Sequence, residues 1–133
     1  MNCFFSRACR RIKFGGMLMN EEKIIEKLNR RQRQILVHSF LYYKLNESII
    51  PDPTYDQWCM ELVDLQEQYP ELAKKTAYYN ICQHFDRSGS GFFIKNYPPE
   101  IISTAFHLLY QHYKKRDLDL RFEDFIVRYG YYI

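Results

Sequence analysis

Residues 35–72 read ILVHSFLYYKLNESIIPDPTYDQWCMELVDLQEQYPEL. The stretch divides near its middle. Before Asn46, and extending back to Glu21, the residues Ile24, Ile25, Leu28, Ile35, His38, Tyr42 and Leu45 recur at intervals of three, four and seven, the spacing of one face of a helix. Beyond Pro51, Tyr55, Trp58, Cys59, Leu62 and Leu65 form a second such stripe. The intervening residues, Asn46 to Asp52, have no period and contain Pro51, which cannot occupy a helix interior. Two amphipathic helices on so short a connector bury their stripes by folding back on each other. The stretch therefore predicts an antiparallel helical pair.

Signals on either side extend this frame. Asn20 is placed to cap the first helix, with Glu21 and Glu22 in the first turn, where the helix dipole favours acids. Asp52-Pro53 reads as an N-cap acid followed by proline at the first helical position. A third helix is predicted over Pro70–Phe85, with Leu72, Thr76, Tyr79 and Phe85 turned inward. Ser88-Gly89-Ser90-Gly91 is a break, and Phe92–Tyr97 reads as a short extended stretch. Pro98-Pro99-Glu100 opens a further helix in which Ile101, Ala105, Leu108, Leu109 and His112 share a face. Phe122, Phe125, Ile126 and Tyr129 propose a last short helix stopped by Gly130. The fold class is all-α: the antiparallel pair extended by two or three further helices into one small bundle. Residues 1–18 are set apart as a disordered or non-native extension, 19–87 as the region of the pair, and 88–133 as a helical tail packing on it.

Composition is consistent with a small domain: 133 residues, 47% hydrophobic, with an aromatic share of 17%. No apolar run is long enough for a membrane span, and no secretory pattern opens the chain. Cys3, Cys9, Cys59 and Cys82 form no Cys-x-x-Cys pair, which suggests reduced thiols in a cytoplasmic protein. The formal charge of +3 depends on Arg7, Arg10, Arg11 and Lys13; without them the balance is −1. Gly15-Gly16 just before Met17 and Met19 is what a translated bacterial ribosome-binding sequence would encode, so Met19 is a candidate start. Basicity thus carries little weight toward nucleic acid.

The ordered set Tyr42-Tyr43, Ser48-Ile49-Ile50-Pro51-Asp52, Tyr55-Asp56, Glu61-Leu62 and Pro70-Glu71-Leu72 resembles the opening domain of NAD⁺-dependent bacterial DNA ligases. In that family the domain closes over NAD⁺ and holds its nicotinamide mononucleotide (NMN) half. The resemblance implies NAD⁺ or NMN as ligand. It sets Tyr42 and Tyr55 where the family flanks the nicotinamide ring, and Asp52 and Asp56 where acids surround base and ribose. Tyr43 falls where members carry His or Tyr near the phosphate. The chemistry agrees: oxidised nicotinamide is a flat cation, attracted by aromatic faces at about 0.5–2 kcal/mol per contact. Neighbouring carboxylates add charge attraction and accept hydrogen bonds.

The ligase nucleophile, the lysine of a Lys-x-Asp-Gly motif, has no counterpart in the sequence. The resemblance therefore implies a binding module without ligase activity of its own, acting with a separate ligase catalytic subunit or on host NAD⁺ chemistry, as a phage or mobile-element product would. The competing class is a protein-interaction factor that mimics the ligase domain and occupies a host ligase or a defence protein. Other signals point to plain structure. Asp86-Arg87-Ser88-Gly89-Ser90-Gly91 resembles half a calcium loop but has Tyr97 at the closing position, where a bidentate Glu is needed. No His cluster suits a metal. The mixture Tyr110, His112, Tyr113, Lys114, Lys115 and Arg116 reads as a solvated helix end rather than a nucleic-acid surface.

Overall fold

A computed structural model describes residues 20–132. The basic residues Arg7, Arg10, Arg11 and Lys13, together with Cys3, Cys9 and the candidate starts Met17 and Met19, lie outside the described residues. Six helices are present among the described residues: α1 (Glu21–Leu45), α2 (Asp52–Gln68), α3 (Pro70–Ala73), α4 (Tyr79–Cys82), α5 (Pro99–Lys114) and α6 (Phe122–Val127). No strand occurs among them, and the fold is all-α.

The termini of α1 follow the sequence signals. Asn20 Oδ1 accepts the Lys23 N–H at 2.8 Å, satisfying one of the donors that a helix start leaves unpaired. At the other end Asn46 adopts a left-handed conformation, φ 57°, and its N–H returns to the Leu41 carbonyl, which stops the helix and turns the chain. The α1–α2 contacts run in opposite order along the two helices. Ser39 meets Tyr55, His38 meets Trp58, and Arg31 meets Glu61, so the pair is antiparallel. α5 runs in the same sense as α1, with Phe106 against Phe40 and Tyr113 reaching Glu47. Leu28, Ile35 and Leu41 of α1, Leu62 of α2, Leu109 of α5 and Phe125 of α6 are fully buried in a single core.

Three expectations are corrected. The helix predicted over Pro70–Phe85 is two single turns, α3 and α4, interrupted at 74–78. The cause lies on α1. Buried Gln32 donates from Nε2 to Thr76 Oγ1 at 2.7 Å and accepts the Tyr78 N–H at 3.2 Å, while Asn29 Oδ1 accepts the Ala77 N–H at 2.9 Å. Side chains thus take backbone donors that a continuous helix would have used. Phe92–Tyr97 is not extended throughout, because the Ile94 N–H bonds the Gly91 carbonyl at 3.1 Å and makes a turn at its start. On α5 the buried face contains Phe106, whereas Leu108 is exposed and His112 only half-buried. Ring packing of Phe106 with Phe40, Tyr129 and Tyr131 sets that rotation.

No described helix is long and apolar enough to cross a membrane. The aromatic residues of the basic stretch are engaged internally. Tyr110 donates its hydroxyl to the Leu120 carbonyl at 2.5 Å and Tyr113 to Glu47 at 2.7 Å.

Candidate functional site

The last turns of α1, the connector and the first turn of α2 converge at one end of the helical pair. Tyr42, Tyr43, Asp52, Tyr55 and Asp56 line a single cleft of about 190 Å³ there, together with His38, Glu47, Ser48, Ile49, Ile50 and Gly89. The convergence follows from the antiparallel register, which puts the C-terminal end of one helix beside the N-terminal end of the next.

The aromatic residues differ in how firmly they are held. Tyr55 is half-buried, and its hydroxyl pairs with Ser39 Oγ at 2.7 Å. Burial pushes the Tyr55 phenol well above its ordinary range, so it remains a neutral ring on a fixed wall. Tyr42 belongs to the stripe predicted to face inward, yet it is 50% exposed. The buried face of α1 passes instead through Leu36, Val37, Phe40 and Leu41, which leaves Tyr42 at the rim. Tyr43 stands edge-on to Tyr42, centroids 4.9 Å apart, and edge-on to Phe92 at 5.9 Å. Its hydroxyl lies 3.5 Å from Ser90 Oγ.

Asp52 is corrected in one respect. The N-cap position of α2 is Pro51, which offers no side-chain cap, and Asp52 is the first helical residue. Its carboxylate therefore does not cap the helix but stands in the first turn at the positive end of the dipole. Asp56, one turn on, is exposed. The loop at Gly89, φ +73°, approaches so closely that a Cβ there would lie 3.3 Å from Asp56 Oδ1. At Gly91 a Cβ would lie 2.8 Å from Ser39 Oγ and 2.9 Å from Tyr55 Oη. Only glycine lets the loop sit against this wall.

Glu47, His38 and Gly89 are cleft residues that sequence reasoning missed. Glu47 was read as connector, but its carboxylate accepts the hydroxyls of Tyr113 at 2.7 Å and Tyr129 at 2.9 Å. The hydrogen bond to Glu47 raises the Tyr113 phenol, and burial followed by the same partner raises that of Tyr129, so both remain donors. His38 was read as a core residue. Burial lowers it to about 4, and its ring lies 5.5 Å from that of Trp58, so near neutral pH it is an uncharged part of the lining. The sequence signal for Glu47 is an acid set between Tyr43 and Asp52. Nothing local announces its tyrosine partners.

Among the described residues no group of His, Cys, Asp and Glu is disposed to hold a metal. Asp86 Oδ1 accepts the Ser88 N–H at 2.8 Å, a local turn that opens the 86–91 segment. The arrangement that remains is a cleft with aromatic walls and three acids on its rim, suited to a flat cation.

Residues 21–77 match the family described as DNA ligase-like, N-terminal NAD⁺-binding domain. The DNA ligase of Thermotoga neapolitana is 37% identical over 60 residues, which cover 44% of this chain and 9% of that ligase. That of Thermotoga maritima is 40% identical over 58 residues, 41% of this chain and 8% of the ligase. The Psychrobacter enzyme is 36% identical over 53 residues, 40% and 8% of the two chains. The matched stretch thus spans less than a tenth of these relatives. No solved structure matches the chain. The matched stretch takes in α1, α2 and α3 and contains Tyr42, Tyr43, Asp52, Tyr55 and Asp56. Gly89, Gly91, Tyr113 and Tyr129, which press on the cleft or hold its connector, lie beyond it.

Proposed function

We propose that this chain binds the nicotinamide end of NAD⁺ or a fragment of it in the cleft between α1 and α2, and does not seal DNA nicks unaided. The observation that carries this reading is the gathering of Tyr42, Tyr43, Asp52, Tyr55 and Asp56 around one opening, within a segment that matches an NAD⁺-binding domain. Tyr55 supplies a fixed face, Tyr42 a ring free to close from the rim, and Asp52 and Asp56 the charge that attracts a pyridinium. The volume supports a partial ligand. Sites for drug-sized molecules run from about 300 Å³ upward, whereas this cleft has about 190 Å³, room for the ring and part of its ribose but not for a dinucleotide. The adenylate half would lie outside, for a separate ligase core or other partner to hold.

A thermal-shift titration with NMN, NAD⁺ and ATP tests the reading. Nicotinamide ligands are expected to raise Tm with concentration, ATP to leave it unchanged, and Asp56→Ala to abolish the gain. Because Tyr55 also packs against the core, Tyr55→Phe serves as the control that keeps the ring. Absence of any shift, with reproducible capture of a host ligase or defence protein, would favour the mimic. A nick-sealing assay with the chain alone is expected to give no product.

A further inference from the structure

We propose that the groove between α1 and α5 seats an acidic, aliphatic helix of a second protein. The proposal is independent of the nicotinamide reading. The two helices run in the same sense and leave a furrow of about 240 Å³ between them. Arg30, Arg33 and Val37 line it from α1, and Ile101 and Leu108 from α5. The α5 residues lie beyond the matched stretch. Leu108 is 40% exposed, although the period of α5 turns it inward. A lone exposed leucine means little, but this one borders buried Val37 and Ile101 in a concave setting.

Charge indicates what covers the groove. Arg31 is engaged within the fold, meeting Glu61 at 2.9 Å and Gln34 at 2.6 Å and lying over Trp58. Arg30 and Arg33 are exposed and make no ion pair or hydrogen bond among the described residues. Glu26, one turn before Arg30, pairs with neither, and Glu100 accepts the Tyr78 hydroxyl at 2.8 Å. No acid lines the groove among the described residues. Two uncompensated cations beside an apolar floor complement a helix with an aliphatic stripe edged by Asp or Glu. The lining runs from Arg30 to His38 on α1, about 12 Å or two helical turns, and a third helix there packs ridge into groove. Other occupants fit less well. Nucleic acid gains nothing from the apolar floor, and no Phe, Tyr or Trp lines the groove to stack a base. This chain's residues 1–19 contain four basic residues and no acid, the wrong sign. In a second copy, Asp64 and Glu67 of α2 already pair with Arg87 at 2.8 and 2.7 Å.

Fluorescence anisotropy on the full chain tests this with a labelled synthetic peptide of about 15 residues, long enough to hold a helix. The peptide carries leucine at intervals of three and four with glutamate beside it, and a control peptide has lysine for each glutamate. The acidic peptide is expected to bind about tenfold more tightly than the basic one, and less tightly as salt rises. His38 lines the groove 5.5 Å from Trp58, so binding should also change Trp58 emission. Arg30→Glu with Arg33→Glu is expected to weaken binding about tenfold, and Leu108→Ala about fivefold. Should charge reversal unfold the chain, Arg30→Ala with Arg33→Ala serves, with about a threefold loss. Equal binding of the two peptides, or binding indifferent to these variants, overturns the proposal. So does failure of the acidic peptide to bind, and three companion results reassign the groove. Duplex DNA held through Arg30 and Arg33 gives it to nucleic acid. Self-association in sedimentation, lost in the double variant, gives it to a second copy. A core-sized loss of stability in Leu108→Ala gives it to this chain's own residues 1–19.

Discussion

The ligase-like segment, residues 21–77, and the segment that follows it are held together by different physics. In the first, two long helices bury aliphatic stripes on each other, and their joining connector is closed by the left-handed Asn46. In the second, α4 to α6 are mostly short, and much of their anchorage is aromatic. Phe106, Tyr129 and Tyr131 pack on one another or on Phe40, while Tyr113 and Tyr129 donate to Glu47. The two nevertheless meet at the cleft. The family-matched part supplies the rings and all three acids, and the later part supplies the loop behind Tyr55 and the clamps on Glu47. A cleft lined mainly by the family-matched stretch is thus held in shape by residues that lie beyond the match.

Substitutions at the seam put that comparison at risk. The largest effect is expected from Phe40→Ala. Phe40 is 1% exposed, with ring centroids 5.3 Å from Tyr97, 5.7 Å from Phe106 and 6.0 Å from Tyr131. Its truncation should cost about 3–5 kcal/mol by urea unfolding. A loss under about 1 kcal/mol would mean that the later helices do not dock on α1. Next is Gly91→Ala, where the new methyl would meet Ser39 Oγ and Tyr55 Oη. The expected cost is about 1–3 kcal/mol, with a weaker nicotinamide response because the Tyr55 wall shifts. Unchanged stability and binding would show that the loop is incidental to the site.

Smaller again is the double substitution Tyr113→Phe with Tyr129→Phe, expected to cost about 1 kcal/mol per hydroxyl. Ligand affinity should fall, since Glu47 and its connector lose their clamps. Stability lost without affinity would confine the second region to scaffolding. The smallest effect is the pH response of His38, which is partly open to solvent. Its folded-state value, about 4, lies below the ordinary 6.5. Between these limits the unfolded chain binds the extra proton, so stability is present above pH 6.5 and is lost as pH falls toward 4. His38→Phe should flatten that part of a Tm-against-pH curve. An identical curve would show that His38 is not held neutral.

The long-range order was largely legible where it depends on local chemistry. The Asn20 cap, the end of α1 at Leu45 and the helical period on either side of Pro51 are properties of neighbouring residues. The break between α3 and α4 was not, because it is imposed by Gln32 and Asn29, more than forty residues earlier. The same division applies to the cleft. Tyr42, Tyr43, Asp52, Tyr55 and Asp56 share one connector, so their proximity could be inferred from the hairpin alone. Glu47 draws its partners from 66 and 82 positions away, and the approach of Gly89 to Asp56 depends on how a later loop folds. Asp52 misled in the other direction: an acid beside Pro53 has the composition of a cap, and only backbone geometry shows that the cap position fell to Pro51.

Cys59 on α2 and Cys82 on α4 are both fully enclosed. Burial raises both thiols, that of Cys59 to about 11, and alkylating reagents act on the thiolate. In a protein with serine at positions 3 and 9, iodoacetamide would modify these sulfurs only when the packing around α2 and α4 parts. The uptake rate would then serve as a clock for how often the native molecule breathes, and its slowing by a ligand would report occupancy from behind the Tyr55 wall, against which the Cys59 thiol lies.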